Sequence, residues 1–361
     1  MPPISKLLVS PPFERTQSSS PAAEYFRASC ACFDQARRGQ TGREFFCRLG
    51  GHSIRFSFAG DSLVPAILPA FEHLERESVP SPDLTICLGD LAASDVALEF
   101  PGGAPLADEG PGGAMWRHED ARFFVLSQRE TASLSLLDAE EKLGFYWTRD
   151  AARLPWYESS FPLRHLLAGF FRRRHQYVIH AAAVGDENGA VLIVGKGGSG
   201  KSTAALAGAT NGLFYLGDDY SLVAIEPRPR VWSLYSSAKA NLDTLNWFPE
   251  LLPLVHRSNG VEEKSSLLLN RSKGLRFAES RPIRAVLWPR ITGRAETSLK
   301  PASSAALLLA LAPSSILQTP GGVDSFLRAL SQLVQSVPAF VLEAGNDPAR
   351  LALAIKNLLV Q

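Results

Sequence analysis

Val191-Leu192-Ile193-Val194-Gly195-Lys196-Gly197-Gly198-Ser199-Gly200-Lys201-Ser202-Thr203 follows the pattern G-x-x-x-x-G-K-[ST] after an apolar, β-branched run. The pattern is that of a phosphate-binding loop. A strand delivers the chain, glycines let backbone N–H groups crowd around phosphate oxygens, and a helix then opens with its N-terminus toward the anion. The residues expected to hold a nucleotide are Gly195, Lys196, Gly197, Gly198, Ser199, Gly200, Lys201, Ser202 and Thr203. Within them Lys201 reaches the β/γ-phosphates, and the Ser202 hydroxyl faces the Mg²⁺ that bridges them. ATP and Mg²⁺ are therefore the expected cofactors. A Gly-rich turn of purely structural purpose is the bland alternative, and the complete motif between Val191–Val194 and the helix-prone Ala204-Ala205-Leu206-Ala207 argues against it.

Downstream, Leu213-Phe214-Tyr215-Leu216 is an apolar strand ending in Gly217-Asp218-Asp219. Asp218 lies 16 residues after Ser202, where a magnesium-binding acid belongs. The adjacent carboxylates suggest a division of labour, Asp218 holding Mg²⁺ and Asp219 accepting the proton of an attacking hydroxyl. An ordinary Asp-Asp turn is the competing reading. Upstream, Tyr177 to Val184 reads as one strand, Asp186-Glu187-Asn188-Gly189 as a hairpin turn, and Ala190 to Val194 as the strand feeding the loop. An antiparallel partner thus carries His180 toward the same place, either as a satisfied core histidine or as a group acting on Asp219 or the transferred phosphoryl.

The 361 residues suffice for two domains. With 45% hydrophobic and 20% charged residues the composition is that of a soluble globular protein, and 37 basic against 36 acidic side chains give no field favouring nucleic acid. The opening Met1-Pro2-Pro3-Ile4-Ser5-Lys6 lacks a signal-peptide core, and Ala305 to Leu311 is too short to span a bilayer, so a cytoplasmic protein without membrane contact is expected. Cys30, Cys32, Cys47 and Cys87 match no zinc spacing and read as reduced structural thiols.

Residues 1–22, rich in Pro and Ser, read as a flexible arm. From 23 to 160 the pattern suggests an α+β domain of unassigned chemistry. Its pieces are a strand over Ser53–Phe58, a proline-interrupted helix over Ser62–His73, a strand over Leu84–Leu88, an irregular loop from Pro101 to Gly113, and an antiparallel meander of Phe123–Leu126, Ser133–Leu137 and Gly144–Thr148. From 161 to 361 an α/β domain holds the loop. It opens with a helix over Phe161–Phe171 whose tail, Arg172-Arg173-Arg174-His175, either complements the helix dipole or receives phosphate. Strands follow over Ser221–Ile225 and Val231–Tyr235. Asn241 to Arg281 reads as a mobile flap, Ile283–Trp288 as a strand stopped by Pro289, and Ala305–Leu311 and Val323–Val334 as amphipathic helices. Ala339–Leu342 is a last strand, and Asn346-Asp347-Pro348 caps a helix over Ala349–Val360.

The series Tyr177-Val178-Ile179-His180-Ala181-Ala182-Ala183-Val184, then Gly195 to Ser202, then Leu216-Gly217-Asp218-Asp219 resembles the catalytic domain of HPr kinase/phosphorylase. It resembles still more the HPr-kinase-like serine kinases that tailor lasso peptides. The resemblance runs from Pro162 to the end and fades before it, where Phe56-Ser57-Phe58-Ala59-Gly60 and Leu84-Thr85-Ile86 look like pieces of the lasso-type kinases. It implies a P-loop kinase domain of HPr-kinase C-terminal type preceded by an α+β domain. It also implies that His180, 21 residues before Lys201, belongs to the active site and that Asp219 is the proton acceptor. Two features of the bifunctional members have no match. Their later glutamate, a second magnesium ligand, falls where this chain has Ser236-Ser237-Ala238-Lys239-Ala240-Asn241, and their Pro-Gly-Arg-Asn stretch is reduced to Pro289-Arg290. Lys239 could offset phosphate charge, and a kinase without efficient phosphorylase activity is expected.

The leading expectation is a Mg-ATP-dependent kinase acting on a serine-type hydroxyl of a peptide or protein, with Asp219, His180 and Lys201 in catalysis and Ser202 and Asp218 on the metal. A kinase of small hydroxyl compounds and a non-catalytic ATP-binding regulator are the alternatives. Self-association into a homo-oligomer is left open.

Overall fold

In the computed structural model residues 20–38, 40, 42–102, 114–257, 264–318 and 322–360 are described. They form a mixed α/β protein of two compact units with interleaved chain segments. The first unit draws on the described parts of Met1–Leu68, Glu75–Glu158 and Pro162–Phe170, the second on those of Pro69–Leu74, Ser159–Phe161 and Phe171–Gln361. Among the described residues no helix is long and apolar enough to cross a membrane.

The first unit starts with helix α1 (Pro21–Ala36), whose N-cap Ser20 accepts from Ala23 N at 3.3 Å. Residues 21 and 22 of the expected arm are therefore helical, while 1–19 lie outside the described residues. Phe26, Cys30 and Phe33 recur at helical spacing and give α1 one buried face, flanked by Ala22 and Ala36. That face packs on a sheet of β1 (Glu44–Leu49), β2 (His52–Phe58), β3 (Leu84–Asp90), β4 (Ala114–Glu119), β5 (Phe123–Gln128), β6 (Ser133–Asp138) and β7 (Leu143–Thr148). The strand order is β1-β2-β3-β7-β6-β5-β4. The expected meander β5-β6-β7 is antiparallel, but β3 pairs in parallel with both β2 and β7, so the sheet is mixed. Ser62–His73 yields only a short α2 (Val64–Ile67) followed by 3₁₀ turns, because Pro69 has no N–H to continue the helix. Residues 103–113 of the expected irregular loop lie outside the described residues. Cys30, Cys47 and Cys87 are buried and all four cysteines are free thiols. Burial, helped by Asp34, pushes the Cys30 thiol up to about 12, far from a reactive thiolate.

Helix α3 (Arg164–Arg172) crosses from the first unit to the second, and His175 leaves it with a positive φ of 56°. The main sheet of the second unit contains β8 (Gln176–Ile179), β9 (Ala181–Gly185), β10 (Ala190–Val194), β11 (Phe214–Gly217), β12 (Ser221–Ala224), β13 (Arg230–Trp232), β17 (Arg276–Phe277), β18 (Ser280–Ile291), β19 (Ser298–Pro301) and β20 (Ala339–Ala344). Its main path runs β17-β11-β9-β10-β18-β13-β12-β8, with β20 and then β19 joined to β18. A smaller sheet, β14-β16-β15, is made of β14 (Ser237–Ala240), β15 (Val255–Arg257) and β16 (Ser265–Leu268).

Alternate residues of β9 and β10 are buried on opposite faces, which makes the centre of the sheet apolar on both sides. Ala182, Val184, Val191 and Ile193 face the layer of α4 (Lys201–Thr210) and α8 (Pro348–Val360). Ala181, Ala183, Leu192 and Val194 face α6 (Ser304–Gln318) and α7 (Val323–Ser336). Helix α8 starts as its cap predicts, with Asp347 Oδ1 accepting from Ala349 N at 2.9 Å and Pro348 in the first turn.

Three expectations fail here for physical reasons. Tyr177–Val184 is two strands, not one: the chain turns at His180, so that β8 pairs with β12 at one end of the sheet while β9 lies between β10 and β11. Pro289 does not stop its strand. Val286 donates to Pro338 O on the β20 side, so alternation turns the missing N–H of Pro289 toward the opposite edge, where pairing with β10 has ended at Leu287. The described part of Asn241–Arg281 is not a flap either. It holds α5 (Leu242–Trp247), β15, β16 and 3₁₀ turns, and Leu245, Phe248, Leu251, Leu267 and Leu269 are buried in the core that α4 and α8 share. Residues 258–263 lie outside the described residues.

Candidate active site

Strand register builds the site. β9 runs antiparallel to both β10 and β11, with Ala181 opposite Val194 and Ala183 opposite Gly217. The end of β10, the end of β11 and the start of β9 therefore meet at one sheet edge. That edge carries the glycine loop, the two aspartates and His180.

The loop leaves β10 at Gly195 with φ 138° and enters α4 from Gly200 with φ 100°, a left-handed conformation that glycine adopts without strain. Among the described residues no side chain caps α4, and its first N–H groups face the loop where an anion could bind. Lys201 is buried, and its Nζ donates to Gly195 O at 2.8 Å and to Lys196 O at 3.2 Å. Burial lowers its pKa, with the charges of Asp219 and Asp218 acting in the other direction.

A tight turn separates the aspartates. Tyr220 N donates to Asp218 O at 2.6 Å, and Asp219 between them takes a positive φ of 59°. Backbone strain of this kind gathers at functional sites. The two carboxylates consequently have different partners. Asp218, 1% exposed, accepts from Ser202 Oγ at 3.0 Å and from Lys239 N at 3.1 Å. Asp219 Oδ1 lies 3.4 Å from His180 Nε2, and its Oδ2 lies 3.4 Å from Lys239 Nζ. Burial and then the neighbouring Asp219 charge raise the pKa of Asp218, against the opposing bonds from Lys239 and Ser202. Burial would also raise Asp219, but contact with His180 and the charge of Lys239 outweigh it and hold this carboxyl far below its ordinary value.

His180 is fixed from behind. Its backbone N donates to Ser315 Oγ on α6 at 3.1 Å, while Nδ1 is buried and makes no hydrogen bond among the described residues. That pattern fits an imidazole donating from Nε2. Lys239 is held through β14, whose Ser237 O accepts from Tyr215 OH at 2.6 Å, and its Nζ stands 4.6 Å from the Phe161 ring centroid.

These groups line a cavity of about 470 Å³, within the range of small-ligand sites. His180, Lys201, Ser202, Thr203 and Asp219 line it together with Gly197, Gly198 and Gly200 of the loop, and Asp218 stands behind Ser202. Gly195, Lys196 and Ser199 belong to the loop without being among the lining residues. Arg172-Arg173-Arg174-His175 do not line it either. Sequence reasoning missed Lys264, Thr244, Trp247 and Leu351, which the fold brings to the same space. Only Asn241, whose Oδ1 accepts from Thr244 N at 3.0 Å, left a local sign, as an N-cap before α5.

No family model matches the sequence, and no curated protein matches it. Among solved structures the chain is similar to the HPr(Ser) kinase/phosphatase from Coxiella burnetii, at 12% identity and a TM-score of 0.28, over 50% of this chain and 94% of that one. A likeness this slight leaves the chemistry of the cavity to its own residues.

Proposed function

We propose that the chain is a Mg-ATP-dependent phosphotransferase whose acceptor is a serine-type hydroxyl on a peptide or protein. The observation that carries this reading is the convergence, at one sheet edge, of a glycine loop with its lysine, a Ser202–Asp218 pair and a separately held Asp219. The oxygen donors fit magnesium. Ser202 Oγ and Asp218 Oδ1 lie 3.0 Å apart, and a cation there would relieve the buried Asp218 charge. Among the described residues no group of three or more His, Cys, Asp or Glu forms a protein-only metal cage, which suits an ion that keeps waters and phosphate oxygens. Ser202 and Asp218 would hold Mg²⁺, which would supply positive charge to offset that of the phosphates.

The protein residues do the rest. Loop N–H groups and Lys201 hold the triphosphate, and Asp219 accepts the hydrogen of the acceptor hydroxyl. As the acceptor oxygen bonds to the γ-phosphorus, the bond to the ADP oxygen breaks and the hydroxyl proton passes to Asp219. His180 orients that carboxylate. The choice of a peptide serine over a small hydroxyl compound rests on the resemblance of the sequence motifs to serine kinases of peptides.

The test is mass spectrometry of a serine-peptide library incubated with the protein, ATP and Mg²⁺. Phosphoserine products are expected. Transfer only to free serine or sugars would move the acceptor to small molecules. Nucleotide binding with no transfer to any of these would favour a nucleotide-gated regulator. His180→Ala should slow transfer by about 10–100-fold, the loss of one hydrogen bond to a charged group, with a much smaller change in ATP affinity. Wild-type transfer by that variant at saturating substrates would make the histidine structural.

A further inference from the structure

Lys239, which the sequence marks only as a residue that could offset phosphate charge, is with Lys264 one of two lining lysines outside the glycine loop. It rises from β14 with a side chain 17% exposed, between the Phe161 ring at 4.6 Å and Asp219 Oδ2 at 3.4 Å. Its backbone N–H holds the other aspartate, Asp218, at 3.1 Å. One residue thus touches both carboxylates by separate groups, and its main chain is fixed while its four-carbon stem stays adjustable.

Its position on the cavity wall gives this ammonium a second destination. Asp219 is already approached by His180 Nε2 on its other oxygen, so Lys239 is not its sole partner. Lys201 and Lys264 line the same cavity, as do loop glycines preceding the uncapped helix start. Asp219 and Asp243 line it too, so the three ammonium groups are offset by carboxylates there, and an anion entering the cavity would meet all three together with the loop N–H donors. The contact with Asp219, at 3.4 Å, is loose enough to exchange for a shorter one.

We propose that Lys239 is a second phosphate-directed cation, which turns from Asp219 to the terminal phosphate of a bound nucleoside triphosphate. The proposal rests on the phosphotransferase reading and adds to it a residue that discriminates triphosphate from diphosphate. Moving the ammonium also frees Asp219 Oδ2 to face the acceptor hydroxyl. No atom is transferred in this step. A cation is exchanged between a carboxylate and a phosphate within the same cavity.

The experiment is calorimetry of the full chain with ADP and with the non-hydrolysable triphosphate AMP-PNP, each with and without Mg²⁺, for wild type, Lys239→Met and Lys239→Arg. Lys239→Met should lose about 10–100-fold in AMP-PNP affinity and less than about 3-fold in ADP affinity, as expected for one charge-assisted contact to the terminal phosphate. Lys239→Arg should keep most of the triphosphate preference. Melting temperatures measured alongside separate binding loss from unfolding. Equal losses for the two nucleotides, or no loss for either, would overturn the proposal and leave Lys239 without a phosphate-directed role. A wild-type chain that binds neither nucleotide would instead overturn the phosphotransferase reading on which it stands.

Discussion

Asp219→Asn is expected to slow phosphoryl transfer by about 10²–10⁴ while nucleotide affinity stays within a few-fold of wild type. The variant is a clean one because of the backbone. Asp219 has a positive φ of 59°, a conformation that asparagine tolerates as readily as aspartate and that alanine does not. The amide keeps the shape between His180 and Lys239, removes the charge and one of the two acceptor oxygens, and turns its NH₂ toward one of these two donors. Asp218→Ala should behave differently. It removes the acceptor of Ser202 Oγ and Lys239 N, so on the proposed reading transfer should require more Mg²⁺ or be lost. Rapid-quench transfer assays and Mg²⁺ titrations of the two variants make the comparison. Equal loss of nucleotide binding in both would mean that the roles of the carboxylates have been exchanged.

The two carboxyls also carry opposite signs in stability. Asp219 is held below its ordinary 3.8 in the folded chain, so its contribution is present above that value and is lost as pH falls through the folded pKa. Asp218 is raised, so its ionised form opposes folding above its folded pKa, and a bound cation would offset that cost.

Lys201→Ala should lower both triphosphate affinity and turnover, the latter by about 10²–10³, the usual loss when one preorganised donor to a charged transition state is removed. In the present structure its ammonium is tied to Gly195 O and Lys196 O, carbonyls of the loop itself. Binding must exchange those carbonyls for phosphate oxygens. Because burial disfavours this ammonium, its removal should leave the melting temperature of the ligand-free chain nearly unchanged. Calorimetry with ATP and a transfer assay read the two losses. Unchanged affinity and rate would remove the basis for a phosphate site at the loop.

The residues meeting at the sheet edge were legible because each belongs to a local pattern. The glycine spacing around 195–202, the apolar strand ending in Asp218-Asp219 and the Asn188-Gly189 hairpin are each complete within about a dozen residues. The partners that hold Asp219 were less so. Lys239 reaches it through a small sheet in which β14 pairs with β16, a contact that no local period announces. Trp247 and Leu351 come from elements more than 100 residues apart. The strand carrying His180 was misread because a nearly continuous apolar run continues through a bend that only long-range pairing produces. Likewise Pro289 is tolerated because a neighbouring strand has already ended, which the proline itself cannot signal. Helix α1 passed unnoticed because its buried stripe of Phe26, Cys30 and Phe33 is diluted by small and polar neighbours.

The interleaving of chain segments has a consequence for how this molecule can be taken apart. Phe71 is fully buried with its ring centroid 5.3 Å from that of Tyr235 at a tilt of 50°, and Ala70 O accepts from Ser236 N at 2.9 Å, three residues before Lys239. A polypeptide beginning at residue 161 would therefore lack part of the wall beneath its own lysine. The unit that holds the cavity is not a cassette: recombination, gene fusion or dissection that treats it as a contiguous block would leave behind the Pro69–Leu74 segment that belongs to it.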